Sequence, residues 1–310
     1  MELPAAPLTV TAAQARVTAL DIPANVATAA TLVRRAADRG TDLVVLPELF
    51  LTGYELPGIT ADPASRALGP DDPRLDPLAA VCADTRTAVV VGAPVLAPPA
   101  QARPGQARPG QDAGRGELYI SALVLDRTGG LAARYDKQHV TPGERAAGFA
   151  SGPGGCTVTL DGWRLGLGIC WDSGFPEHAR AAALDGCHGY LVGAMFGEGP
   201  GAHQRATVFP ARALDNTCYV VLANHNSPSG PYRGCGGSAV WGLDGHLLAD
   251  AETADPGLAT ASFDPAVLAS VRAGEPVLAD PSLTAPVGPR REAALDRPRL
   301  SVAPSTLGRP

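Results

Sequence analysis

Three side chains able to do covalent or acid–base chemistry stand at the ends of apolar runs: Glu48, Lys137 and Cys170. Glu48 follows the run 43–47, after which Pro47 and the stretch 49–54 take the chain away from a strand. Lys137 ends the step Tyr135-Asp136-Lys137. Cys170 closes Leu165-Gly166-Leu167-Gly168-Ile169-Cys170, and Trp171-Asp172-Ser173-Gly174-Phe175-Pro176-Glu177 then turns toward a helix. Open α/β sheets place their ligands at the carboxyl ends of strands, where all three residues fall. A cysteine at a sharp strand-to-helix turn can present its sulfur to an electrophile while the next amide, that of Trp171, points at the developing oxyanion. Each residue taken singly has a plainer reading. Glu48 would be a solvated strand end, Lys137 a surface residue and Cys170 a small buried hydrophobe. Only their company favours chemistry.

Such side chains need a rigid frame, and the pattern predicts one. A strand over about 8–17 leads to a helix after Pro23, with Val26, Ala29, Ala30, Val33, Ala36 and Ala37 at helical spacing and Gly40 as its stop. The run 43–46 is apolar throughout, as in a strand covered on both faces. A helix over 73–84 follows, then strands at 88–91, 118–126, 131–135 and 163–170, a helix at 177–184 ended by Gly186, and a strand at 190–194. The segment 202–216 reads as a helix that Pro210 should kink or divide near Phe209. Strands at 218–224, 238–241, 246–249 and 258–263 complete the chain, with Asp244-Gly245 favouring a hairpin turn. Residues 1–280 are expected to form one α/β layered domain. Residues 98–116, with a tandem Gln-Ala-Arg-Pro-Gly, read as a loop insertion, and 281–310 as an extended or disordered proline-rich tail.

With 310 residues, of which 45% are hydrophobic, the chain can bury a sizeable core without staples. A net charge of −6 argues against nucleic acid and anionic membranes, which need concentrated Lys and Arg, and favours a small-molecule substrate. No run approaches the roughly 18 apolar residues of a membrane span, and the N-terminus lacks a basic, then apolar, leader, so a cytoplasmic location is expected. The six cysteines are dispersed without a C-x-x-C pair or a histidine at zinc-ligand spacing, so neither a metal nor a cofactor is expected and the thiols are read as reduced.

Competing motifs are weaker. His139, two positions after Lys137, is read as structural. Gly234-Cys235-Gly236-Gly237-Ser238 faintly resembles the glycine-rich serine loop of the amidase-signature hydrolases, without their lysine and second serine motif. The sequence holds no G-x-S-x-G elbow and no phosphate-binding P-loop.

Taken together, three blocks resemble the signature motifs of the nitrilase superfamily of carbon–nitrogen hydrolases, in their order and separation. They are Leu46-Pro47-Glu48 with Thr52-Gly53-Tyr54, Tyr135-Asp136-Lys137-Gln138-His139 with Gly143-Glu144, and Gly168-Ile169-Cys170-Trp171-Asp172 with Phe175-Pro176-Glu177. Arg212-Ala213-Leu214-Asp215-Asn216 with 219–224 is similar to a later block, Asp215 standing where a glutamate is more usual. The resemblance spans about 8–275. It implies a four-layer α-β-β-α sandwich, Cys170 as nucleophile, Glu48 as general base, Lys137 as the cation that stabilises the oxyanion with the Trp171 amide, and Glu144 as a supporting glutamate. It further implies pocket roles for Tyr54, Phe196 and Asn224, and a homodimer or larger homo-oligomer.

The reaction so implied is hydrolysis of a small aliphatic amide through a thioester. N-carbamoyl amine hydrolysis is the second reading, since Cys170-Trp171-Asp172 and Phe175-Pro176-Glu177 are similar to N-carbamoylputrescine amidases while 135–139 resembles the aliphatic and omega-amidase types. Ser173-Gly174 departs from the bulkier residues of both groups and should reshape the pocket mouth. A non-catalytic binding protein on the same fold is the alternative of another class.

Overall fold

The computed structural model describes residues 3–69, 71–97 and 116–280. All of the expected 98–116 insertion except Gly116 lies outside them, as does the 281–310 tail. The first half runs β1 (Leu8–Gln14), α1 (Ile22–Ala37), β2 (Leu43–Val45), the short helices α2 (Leu56–Ala61) and α3 (Pro63–Arg66), α4 (Asp76–Thr85), β3 (Ala88–Ala97), β4 (Glu117–Leu125), β5 (Leu131–Asp136) and α5 (Pro142–Ala147). The second half runs β6 (Thr157–Leu160), β7 (Trp163–Ile169), α6 (Pro176–Leu184), β8 (Gly189–Ala194), α7 (Pro200–Asn216), β9 (Tyr219–Asn224), the two-residue strands β10 (Pro228–Ser229) and β11 (Tyr232–Arg233), β12 (Ala239–Trp241), β13 (Leu247–Asp250), β14 (Gly257–Phe263) and α8 (Pro265–Gly274).

Two six-stranded sheets result, in the orders β14-β1-β2-β3-β4-β5 and β13-β12-β9-β8-β7-β6. In each, the central strands are parallel and the flanking ones antiparallel. Alternation along each strand decides what lies between the layers. Val45 and Val90 of the first sheet meet Leu165, Leu167 and Val221 of the second in one shared core. Their neighbours Val44 and Val89 point the other way, onto Val26, Val33 and Leu78 of α1 and α4. On the outer face of the second sheet, Val192 and Val220 pack against Ala179 of α6 and Phe209 and Ala213 of α7. The order is therefore helices, sheet, sheet, helices, the sandwich that the motifs implied. It also explains the uninterrupted apolar run 43–46, covered on both faces.

Local signals act as expected at α1. Asp21 caps it by accepting from the Ala24 amide, and Gly40, with φ of 74°, ends the turn that follows. Other elements differ. α7 passes through Pro210 as one helix. Phe209 and Ala213, both fully buried against the second sheet, hold it in place and outweigh the missing backbone hydrogen bond. β3 runs on to Ala97 because it stays paired with β4 as far as Ala97 and Glu117. Cys170 lies outside β7, whose last residue is Ile169. No helix among the described residues is long and apolar enough to cross a membrane.

Candidate active site

The three reactive side chains come from two sheets, Glu48 and Lys137 from the first and Cys170 from the second. Glu48 lies just beyond β2, where Leu46 still donates its amide to the Val90 carbonyl (2.8 Å) and Leu49, with φ of 50°, turns the chain away. Lys137 is the first residue past β5, its amide bonded to the Ile120 carbonyl at 2.9 Å. Cys170 follows β7 in the other sheet and opens a 3-10 turn, Cys170–Gly174.

Lys137 is wholly buried and donates to Glu48 Oε1 (2.7 Å) and Glu144 Oε1 (2.6 Å), both carboxylates equally buried. An ammonium group has three N–H bonds, so one remains for a substrate oxygen. Glu144 is fixed in turn. It sits in the first turn of α5, where its Oε2 accepts the Thr141 amide (2.7 Å) and its own amide donates to Thr141 Oγ1 (3.2 Å), a reciprocal capping box. The Tyr54 hydroxyl also donates to Glu144 Oε1, at 2.5 Å.

Cys170 has φ of 44°, a left-handed backbone that costs a residue with a Cβ about 1–2 kcal/mol. The turn holds it there. Ser173 Oγ donates to the Cys170 carbonyl (2.7 Å), and buried Arg212 of α7 donates to the carbonyls of Ser173 and Gly174 at 3.0 and 3.2 Å. The thiol lies 4.0 Å from the Met195 carbonyl. The Trp171 amide belongs to the first turn of the 3-10 segment, where amides have no intrahelical acceptor, as an oxyanion donor requires.

Electrostatics assigns the proton. Burial pushes Glu48 from 4.5 up to about 7; Lys137 opposes this and Glu144 adds to it. Its Oε2 is buried without a hydrogen-bond partner, so a lone pair stands free. Burial also drives the Cys170 thiol well above its ordinary range, and the charge of Glu48 adds to that effect while Lys137 counters it. The resting sulfur therefore keeps its proton until a base takes it. Burial pulls Lys137 down, but Glu48, Cys170 and Glu144 more than reverse this, so the ammonium stays charged.

Beneath the site lies a polar network that the sequence reading left without a role. Asp172 accepts four hydrogen bonds, from the Ile169 amide (3.0 Å), the Tyr135 hydroxyl (2.7 Å), the His139 amide (2.8 Å) and His139 Nδ1 (2.9 Å). His178 lies between the Tyr135 and Tyr190 hydroxyls, at 2.8 Å from each. His139, Asp172 and His178 come within metal-binding reach of one another, yet the Asp172 oxygens and both His178 nitrogens are already engaged within this network. His139 is held to Asp172 through both its amide and its ring. Asp172 could have been noticed within Cys170-Trp171-Asp172 and Arg212 at the head of the 212–216 block; Tyr190 and His178 carry no local sign of their part.

The expected pocket residues divide. Tyr54 belongs to the polar centre. Asn224 is fully buried and spends its amide on Phe196, accepting its N–H (2.7 Å) and donating to its carbonyl (3.1 Å), and on the Gly236 carbonyl (2.8 Å). Its amide ties the strand end to the backbone of Phe196 and Gly236. The Phe196 ring rests edge-on against Phe209, 5.6 Å between centroids, in the cluster against which Cys170 also packs. The exposed ring of Trp171 opens on a cavity of about 410 Å³ lined also by Val140, Pro142, Arg145 and Ala146, the last three on α5, which carries Glu144.

Comparison with known proteins agrees with this geometry. The chain is 31% identical over 268 residues to a hydrolase encoded in the pqqF 5' region of Pseudomonas protegens, covering 84% of each chain. It is 28% identical to the human omega-amidase NIT2, over 82% of this chain and 87% of that one. Its structure superposes with a TM-score of 0.71 on a double mutant of the amidase from Nesterenkonia sp. AN1 in complex with acrylamide, at 27% identity, covering 88% and 98% of the two chains. The sequence profile of the carbon-nitrogen hydrolase family matches residues 9–273, which include Glu48, Lys137, Glu144 and Cys170. With that match and the two-sheet sandwich in agreement, the chain belongs to the carbon-nitrogen hydrolases.

Proposed function

We propose that the protein hydrolyses a small aliphatic amide to its acid and ammonia, with Cys170 forming a thioester. The observation that carries this reading is the buried set Glu48, Lys137 and Glu144 beside a strained Cys170. An amide is a poor electrophile, so the thiol must lose its proton as it attacks, and Glu48 Oε2 is the free acceptor. The sulfur adds to the carbonyl carbon, and the oxyanion takes the remaining Lys137 N–H and the Trp171 amide. The proton on Glu48 passes to the nitrogen, ammonia leaves and the acyl group stays on sulfur. Glu48 then deprotonates a water that attacks the thioester, and the acid departs as the thiol is restored. No cofactor enters this cycle.

Amidase relatives and neighbours support the reading, among them structures of the Nesterenkonia amidase with acrylamide and with butyramide. Gly174 leaves room beside Trp171, since a Cβ there would meet only the Trp171 ring at 3.9 Å. The test is ammonia and carbon dioxide release from short amides, omega-amides and N-carbamoyl amines, beside Cys170→Ala. Ammonia alone, absent from the variant, is the expected result. Carbon dioxide in equal amount would replace it with the N-carbamoyl reading, and release that persists in Cys170→Ala would overturn the thioester.

A further inference from the structure

One fully buried imidazole near the site has no part in the steps above. His225 follows β9, in the sheet opposite Glu48, yet its Nε2 lies 2.7 Å from the Glu48 main-chain carbonyl across 177 residues of sequence. A carbonyl can only accept, so Nε2 carries the proton, and Nδ1 is left buried with no partner. An apolar side chain would avoid that unpaired nitrogen, which argues that the bond to Glu48 is what the histidine is for.

The peptide it holds is confined and strained. Leu49, directly after that carbonyl, has φ of 50°. On one side a Cβ at Gly92 of β3 would come within 2.2 Å of the Pro47 carbonyl oxygen and 2.8 Å of the Glu48 carbonyl carbon. On the other, a Cβ at Gly193 of β8 would lie 3.1 Å from the Glu48 nitrogen. The preceding residue, Asn224, grips the backbone of Phe196, next to the Met195 carbonyl that the Cys170 thiol faces. Two successive residues at one strand end thus hold the base from the first sheet and the wall beside the nucleophile from the second.

We infer that His225 is a positioning residue, whose Nε2–H bond fixes the Glu48 peptide and so aims the carboxylate at Cys170. Burial lowers His225 to about 4, which keeps the ring neutral at ordinary working pH, as a fixed donor needs. The inference rests on the assignment of Glu48 as base, and the test separates the two.

Glutamine can place an amide N–H near the position of Nε2, and asparagine, one carbon shorter, cannot. The rate at which iodoacetamide alkylates Cys170, read on the Cys170 peptide by mass spectrometry, reports delivery of the thiolate without any choice of substrate. It is to be measured for wild type, H225Q, H225N and E48Q, with kcat and KM on the best amide and a thermal melt for each. The expected result is a loss of ~10-fold or more in alkylation and kcat for H225N, little change in KM, and H225Q within ~3-fold of wild type, since small displacements of a catalytic group carry costs of this size. Equal behaviour of H225N and H225Q, or a loss confined to KM or to the melt, would overturn the inference while leaving Glu48 as base. Unchanged alkylation in E48Q would overturn the base assignment itself.

Discussion

The Tyr135 hydroxyl donates to Asp172 Oδ2 at 2.7 Å, joining the strand that delivers Lys137 to the turn that presents Cys170. Both residues are buried, and the same carboxylate holds the Ile169 amide and two donors of His139. The two halves of the site are thus coupled beneath the reacting groups.

Asp172→Asn tests that coupling. The amide keeps the shape of the carboxylate, but removes its charge and turns an NH2 toward buried donors. A loss of ~2–4 kcal/mol is expected by urea unfolding, since a buried donor left unpaired costs about 1–3 kcal/mol. Stability within ~0.5 kcal/mol of wild type would mean that the network is not what holds the turn.

Activity should depend on Glu48 ionisation. The base must be charged to accept the thiol proton, and burial places it at about 7, so kcat/KM should fall as pH drops through that value and level off above it. The charge of Glu144 helps to raise Glu48. Glu144→Gln should therefore move the acidic limb to lower pH, besides lowering the rate by loosening Lys137. An unmoved limb would remove Glu144 from the electrostatics of the base.

Tyr54 is held far above its ordinary range, first by burial and then by the charges of Glu48 and Glu144, so it remains a donor at any working pH. Tyr54→Phe deletes one of the two donors on Glu144 Oε1 and leaves Lys137 less firmly oriented. A drop of ~3–10-fold in kcat/KM is expected, which corresponds to about 0.7–1.4 kcal/mol. Kinetics equal to wild type would show that the capping box alone suffices to place Glu144.

Gly92→Ala should damage both fold and site, because its Cβ would land on the backbone of Pro47 and Glu48, which has no room to retreat. We expect a loss of ~1–3 kcal/mol, the usual cost of overpacking, with reduced kcat. Gly154→Ala, whose Cβ meets nothing within 4 Å, serves as the control. A melt in which the two variants agree would contradict the close approach of β3 to the Pro47–Glu48 backbone.

Much of this arrangement was legible beforehand, and the omissions have identifiable causes. β7 and β8 were foreseen to within a residue because their runs are apolar, short and bounded by turns. α5 was missed although Thr141 and Glu144 form the spacing of a capping box; the helix has only six residues and too few apolar positions to show a period. α7 was expected to be kinked or divided because Pro210 removes a donor, and it is not divided because Phe209 and Ala213 anchor it. Asn224 was placed in the pocket on the strength of its motif, and its amide turned out to be spent on the wall.

The sequence by itself determined the alternation of elements and the sharp turn at Cys170, because short-range patterns encode which face of an element is buried and where it ends, while the resemblance of its motifs singled out Glu48, Lys137, Glu144 and Cys170 as candidates. The tertiary structure alone decided which sheet supplies each side chain, that Lys137 bridges Glu48 and Glu144, and that Asp172 and His225 stand behind them. The Lys137–Glu48 contact, 89 residues apart, depends on the strand order within the first sheet, and the His225–Glu48 contact, 177 apart, on how one sheet lies over the other. That relation is set by interlocking side chains in the shared core, and no local period records it.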